Sequence, residues 1–156
     1  MQLRLLLTVL AVSSSIATVA TGSDFQRASD AAYCIGAMQK SMAFWNTPYQ
    51  ANNKREQEIY EQMKQQLYEN QLKPTFEHYR NIVLTYSAIN SPFFETSLLL
   101  TLQGEKDSEL CKKAVGDCGR KYSSNDQEQN SRNTIECAKN QIPICNKVFS
   151  CSKVAP

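Results

Sequence analysis

Between residues 24 and 45 the apolar residues Phe25, Ala28, Ala32, Ile35, Met38, Met42 and Trp45 recur at steps of three and four, the stripe of an amphipathic helix. Ser23 or Asp24 can cap its start by accepting orphan backbone N–H bonds. Asn46-Thr47-Pro48 predicts its end, because the residue before a proline is driven out of helical geometry. The longest periodic stretch is 54–90, where Ile59, Met63, Leu67, Leu72, Phe76, Tyr79, Val83 and Tyr86 keep the helical period. Glu69 precedes Lys73 by four residues, and Glu61 precedes Lys64 and Glu77 precedes Arg80 by three, spacings that support an exposed helix face. Pro74 lies inside this stretch and costs about 3 kcal/mol in an uninterrupted helix. The apolar stripe resumes after it in nearly the same phase, so a kink near Lys73 is expected.

Ser91-Pro92 predicts a new start, with a capping residue followed by a proline in the first helical position. A helix over 92–103 should stop at Gly104, and another should begin at Asp107 and Ser108 and carry Leu110, Cys111, Ala114, Val115, Cys118 and Tyr122. Leu98-Leu99-Leu100-Thr101-Leu102 reads as a buried helix turn and is too short to span a bilayer. Residues 123–131 are polar throughout and predict a surface loop, followed by a short helix over 132–141 that Pro143 ends. The tail 144–156 is expected to be irregular and pinned by disulfides. With no alternating β-branched run and no internal repeat, the fold class is all-α. The pattern describes a small bundle of four to five helices with a long kinked central helix.

The N-terminus changes the picture of where this bundle works. Arg4 is followed by an apolar stretch over 5–12 and then by small residues up to Gly22, the layout of a cleavable secretory signal. Cleavage after Ala20 or after Gly22 leaves small residues at the positions a signal peptidase reads, and Gly22 is preferred. The expected organisation is therefore a signal peptide at 1–22 and one disulfide-bonded domain at 23–156. Of the 156 residues, 134 then remain with a net charge of +1, since Arg4 is the only charge removed from a chain of net +2. So small a charge excludes a dedicated nucleic-acid binder, which needs a concentrated basic face. Nothing downstream of the signal is long and apolar enough for a transmembrane segment, and the expected localisation is secreted or periplasmic.

All six cysteines lie beyond the signal, which in an oxidising compartment predicts three disulfides. Cys111 and Cys118 share a helix face but stand about 10 Å apart, at roughly 1.5 Å of rise per residue, beyond the reach of a bridge between them. Their separation of seven nearly matches the eight between Cys137 and Cys145 across the polar loop. An antiparallel hairpin would therefore nest Cys118 with Cys137 inside Cys111 with Cys145. That leaves Cys34 for Cys151, tying the tail to the first helix, although Pro143 interrupts the second arm before Cys145. A domain of this length can build a core unaided, so the bridges are expected to reinforce the bundle and not to replace its core.

Candidate chemistry is sparse. Gly116-Asp117-Cys118-Gly119 resembles the Gly-x-Cys-Gly nucleophile loop of viral chymotrypsin-like cysteine proteases, with His78 upstream in the matching chain order. Those enzymes are built on two β-barrels, whereas this pattern is helical, and a bridged Cys118 has no thiolate. The six-cysteine helical plan is also that of insect odorant-binding proteins, and the helical plan that of saposin-like proteins, but the close cysteine pairs of both are missing. No catalytic residue, metal ligand set or cofactor motif is assigned; with no C-x-x-C and a single histidine, a zinc or redox site has no spacing to rest on. Phe44, Trp45 and Tyr49 cluster at the first interhelical turn, where they either pack on the next helix or anchor a ligand or partner. The functional expectation is an exported helical binding protein for a protein partner or a small apolar ligand; the alternative is a small secreted enzyme or an inhibitor of one.

Overall fold

The computed structural model of the chain describes residues 22–121 and 127–152. The expected signal peptide falls outside the described residues except for Gly22, as do Tyr122 and residues 123–126 of the expected polar loop. Helix α1 runs Gly22–Asn46 and α2 runs Lys54–Met63. A π-helical segment, Lys64–Leu72, joins α2 directly to α3, Lys73–Ile89. Helix α4 spans Phe93–Gly119, α5 Gln127–Gln141 and α6 Cys145–Ser150, and there is no strand among the described residues.

Helix ends follow local chemistry. α1 begins at Gly22, so Ser23 and Asp24 sit inside its first turn and not ahead of it. It closes where Thr47 donates its backbone N–H to Phe44 O at 3.2 Å and its hydroxyl to Ala43 O at 2.9 Å, just before Pro48. α2 is capped by Asn53, whose Oδ1 accepts from the Glu56 N–H at 2.9 Å. The expected disturbance around Pro74 is present as the π-helical segment. Lys73 N–H bonds back to Tyr68 O, five residues earlier, which shifts the register ahead of the proline. Thr75 Oγ1 then donates to Gln71 O at 2.8 Å. A widened turn is one of the few ways a helix can pass a proline ring without colliding with the carbonyl four residues back. Of the spaced charge pairs, Lys73–Glu69 at 2.9 Å and Arg80–Glu77 at 3.3 Å form, whereas Glu61 accepts from Gln57 Nε2 at 2.7 Å.

Residues 127–131 of the expected polar loop belong to α5, which starts five residues earlier than expected, and three further expectations are corrected. Gly104 does not stop a helix, and Asp107 with Ser108 does not start one: α4 is continuous, because Gly104 serves contact between helices instead. A Cβ at Gly104 would overlap the Tyr33 carbonyl oxygen, and one at Gly36 would overlap the Thr101 carbonyl oxygen. α1 and α4 therefore pack backbone to backbone, through small residues. Thr101 Oγ1 bonds Ala32 O at 3.1 Å and the Tyr33 hydroxyl donates to Asp107 Oδ2 at 2.9 Å across this crossing. The second correction follows from the first. With Thr101 and Gly104 turned to α1 and Ser97 buried, the leucine run is not a buried turn: Leu98, Leu99 and Leu102 are 50%, 68% and 62% exposed. Third, the stretch after Pro143 is not wholly irregular. Proline cannot continue α5, but its fixed φ suits a new helical start, and the Cys145 and Asn146 N–H groups bond back to Ile142 O and Pro143 O at 2.9 and 3.1 Å to begin α6.

That short helix resolves the obstacle Pro143 posed to the nested pairing. Disulfides join Cys118–Cys137, Cys111–Cys145 and Cys34–Cys151, with Cα separations of 5.9, 5.4 and 5.1 Å. The core they enter is thin and divided. One cluster gathers Ala28, Tyr86 and Phe93; a second gathers Tyr33, Ala37, Met38 and the Cys34–Cys151 bridge; a third gathers Ala114, Ala138 and Cys118. Besides Phe93, the largest fully buried side chains are Cys111, Cys118, Cys145 and Cys151. The bridges are thus the centre of the packing and not reinforcement added to an independent core, because the helices meet through small side chains that bury little apolar area of their own.

Candidate functional site

The last turn of α1 carries Phe44 and Trp45 to the edge of the bundle, and the turn after Pro48 returns Tyr49 against α2. The rings form a chain of contacts. Phe44 meets Trp45 edge to face at a centroid distance of 5.2 Å, Trp45 lies 5.7 Å from Tyr60 of α2, and Tyr60 stacks on Tyr49 at 4.2 Å. Trp45 also stacks on Tyr68 of the π-helical segment at 6.4 Å, and the buried Tyr68 donates its hydroxyl to Asn46 Oδ1 at 2.8 Å. The structure therefore gives the three aromatic residues different parts. Trp45 is half-buried packing between α1 and α2, whereas Phe44 is 62% and Tyr49 40% exposed. Ile59 and Met63 extend the exposed apolar surface along α2.

Polar contacts hold this edge in place. Glu56 accepts from the Tyr49 hydroxyl, from Asn52 N–H at 2.8 Å and from Asn52 Nδ2 at 3.0 Å. Those donors lower the Glu56 carboxyl below its ordinary pKa, the Tyr49 bond first, while accepting carboxylate oxygen raises the Tyr49 phenol. Beside Phe44 a cleft of about 430 Å³ opens between α1, α4 and α6. Met38, Leu72, Val115 and Phe149 supply its apolar lining, and Lys40 and Lys112 its positive charge. Lys40 Nζ is 2.5 Å from Glu109 and 3.9 Å from Glu105 on α4, and the Glu109 bond raises the lysine and lowers the carboxyl.

The other sequence candidates lie elsewhere. Cys118 is fully buried and bridged to Cys137 in the final turns of α4, so the Gly116-Asp117-Cys118-Gly119 segment holds no free thiol. His78 is exposed on α3 beside a second cleft of about 770 Å³ that Arg27, Asp30 and Lys147 also line. There Lys147 Nζ lies 3.4 Å from Asp30 and 4.2 Å from the Tyr33 ring centroid, fastening α6 to α1. The described residues contain no cluster of histidine, cysteine, aspartate or glutamate able to hold a metal ion. Sequence reasoning missed the role of Lys40, Glu109 and Phe149 in the cleft. Only the packing of α1 on α4 and α6 brings them together, and no local spacing signals it.

Among the described residues no helix is long and apolar enough to cross a membrane, and three disulfides fit an oxidising, extracellular-type environment. Comparison of the chain with protein-family models, with curated proteins and with solved structures finds no match.

Proposed function

We propose that this is an exported binding protein, secreted or periplasmic, that engages a protein partner through the aromatic edge of Phe44, Tyr49, Ile59 and Met63. The observation that carries the reading is the division of labour in the ring chain. Trp45 and Tyr68 fix the position of the rings, and two aromatic and two aliphatic side chains are left in water on a rigid, hydrogen-bonded edge, the arrangement of a preformed anchor site. The resolved pKa shifts support binding over catalysis. Tyrosines and lysines move up and carboxyls move down, so each group is held more firmly in its ordinary neutral-pH state, whereas a general acid or base is tuned toward neutrality.

A photo-crosslinking residue at position 44 of the oxidised protein, exposed to its own extracellular or periplasmic milieu, tests the reading. The control carries the same residue at Ile135, an exposed apolar position on α5. A discrete protein adduct formed only from position 44 is expected; none, or the same adducts from both positions, would count against it. A second reading, a small apolar ligand, draws on the cleft beside Phe44, whose volume of about 430 Å³ and apolar lining suit a single-chain amphiphile, with Lys112 at its edge and Lys40 already paired to Glu109. Quenching or enhancement of Trp45 fluorescence by such a compound, saturating at one equivalent, distinguishes it from the protein-partner reading.

A further inference from the structure

The outward face of α4 is an apolar surface that the packing leaves unexplained. Glu95, Leu98, Leu99, Leu102 and Lys106 fall on it because Thr101 and Gly104, on the opposite side of the helix, are committed to α1, and Ser97 beside them is buried. Leu99 and Leu102 are its most exposed leucines, and Leu98 widens the strip on one side. Glu95 stands four residues before Leu99 and Lys106 four residues after Leu102. Both charges are exposed, and neither has an ion-pair partner among the described residues. They cannot pair with each other along one helix, since eleven residues separate them by roughly 16 Å of rise.

We propose that a second copy of this chain occupies this face, seated antiparallel so that Leu99 of each copy meets Leu102 of the other and Glu95 faces Lys106 at both ends. A two-fold axis midway between Leu99 and Leu102 produces all of these pairings at once, as an isologous interface requires. Spacing of i, i+3, i+4 and i+7 from Glu95 through Leu98 and Leu99 to Leu102 keeps the strip on one side of the helix for knobs-into-holes packing. Reversing either helix to parallel would set Glu95 on Glu95 and Lys106 on Lys106, so the charges select the antiparallel arrangement. A near-zero net charge after signal removal offers little long-range repulsion between copies. The face is distinct from the aromatic edge, so the proposal stands or falls apart from the binding reading above.

Sedimentation velocity of the oxidised protein over a concentration series tests it, with folding of each variant checked by circular dichroism. An interface built from one helix face of each copy is expected to associate weakly and in a concentration-dependent way. Leu99→Glu should abolish it, whereas Ile135→Glu, at an exposed apolar site on α5, should leave it intact. Glu95→Lys alone or Lys106→Glu alone puts like charges together at both ends and should weaken association about tenfold or more, and the two combined should restore it. A monomer at every concentration overturns the proposal, as does a dimer that the single charge reversals leave unchanged. A monomer that binds phosphatidylcholine and phosphatidylglycerol vesicles through Leu99 also overturns it, and assigns the face to lipid.

Discussion

Tyr33 of α1 and Asp107 of α4 lie 74 residues apart in the chain and share a buried hydrogen bond of 2.9 Å, phenol to carboxylate. Asp107 is 5% exposed and accepts a second bond, from Gln103 Nε2 at 2.8 Å. Removing one partner strands the other in a site with little water. Tyr33→Phe should therefore lower stability by about 1.5–3 kcal/mol, the usual range for a bond to a charged group, and Asp107→Leu by a similar amount, since it leaves the buried Tyr33 hydroxyl unpaired while the exposed Gln103 amide turns to water. Chemical denaturation of the oxidised variants measures both, and wild-type midpoints for the pair would show that the bond contributes nothing.

The same bond predicts the response to alkali. Burial first, then the bond to Asp107 and its negative charge, raise the Tyr33 phenol well above its ordinary value near 10. Burial and the nearby Asp30 raise Tyr79 as well. In the unfolded chain both phenols ionise near pH 10, while in the folded chain they keep their protons, so above that pH the folded state binds more protons and stability must fall. Below pH 10 the contribution is fully present and pH-independent. The expected result is a loss of stability beginning near pH 10, with a shallower slope in Tyr33→Phe. Tyrosinate absorbance should rise in two stages, the later one coinciding with unfolding. A single-stage titration with the fold intact would contradict the assignment.

Helix periodicity located most of the elements, and the cysteine spacing was enough to pair α4 with α5, because both signals are local or nearly so. Gly104 was misread because a glycine at a helix end and a glycine at a helix crossing look alike until the second helix is known. The misreading of Leu98, Leu99 and Leu102 has the same root: apolar residues are taken to face inward, yet here the inward side was claimed by the close approach of Gly36 and Gly104. Trp45 was placed at the right turn, but its partition into packing, with Phe44 left to solvent, depends on Tyr60 and Tyr68 arriving from another element. Clefts made by three helices, such as the one joining Lys40, Lys112 and Phe149, have no signature in a linear pattern.

The glycines of α1 and α4 make a test of the crossing. A Cβ at Gly104 would overlap backbone of α1, and one at Gly36 backbone of α4, so neither contact can be relieved by turning a side chain. Gly36→Ala and Gly104→Ala should each force the helices apart and destabilise by at least about 1–3 kcal/mol. Gly116 also lies in α4 but has nothing within 4 Å of its Cβ position. Gly116→Ala should instead stabilise by up to about 1 kcal/mol through helix propensity. Thermal unfolding of the three variants gives the order, and a stabilising Gly104→Ala would refute the close crossing.

The bridges differ in how much chain they close, and their removal should rank accordingly. Cys34–Cys151 spans 117 residues and Cys118–Cys137 spans 19. In the chain-entropy model the long bridge restrains the unfolded state by about 5 kcal/mol and the short one by about 3 kcal/mol. Both pairs include a fully buried sulfur, so replacement by alanine adds a packing loss to each. The long bridge also anchors α6, whose Lys147 holds Asp30 and covers the Tyr33 ring, so its loss should free the C-terminal segment from α1. Cys34→Ala/Cys151→Ala is therefore expected to lower the denaturant midpoint more than Cys118→Ala/Cys137→Ala. Hydrogen exchange should locate the lost protection in α6 and the middle of α1, not in the α4–α5 hairpin. Equal losses, or a larger loss from opening the short bridge, would show that local packing around Cys118 outweighs the entropy of the long loop.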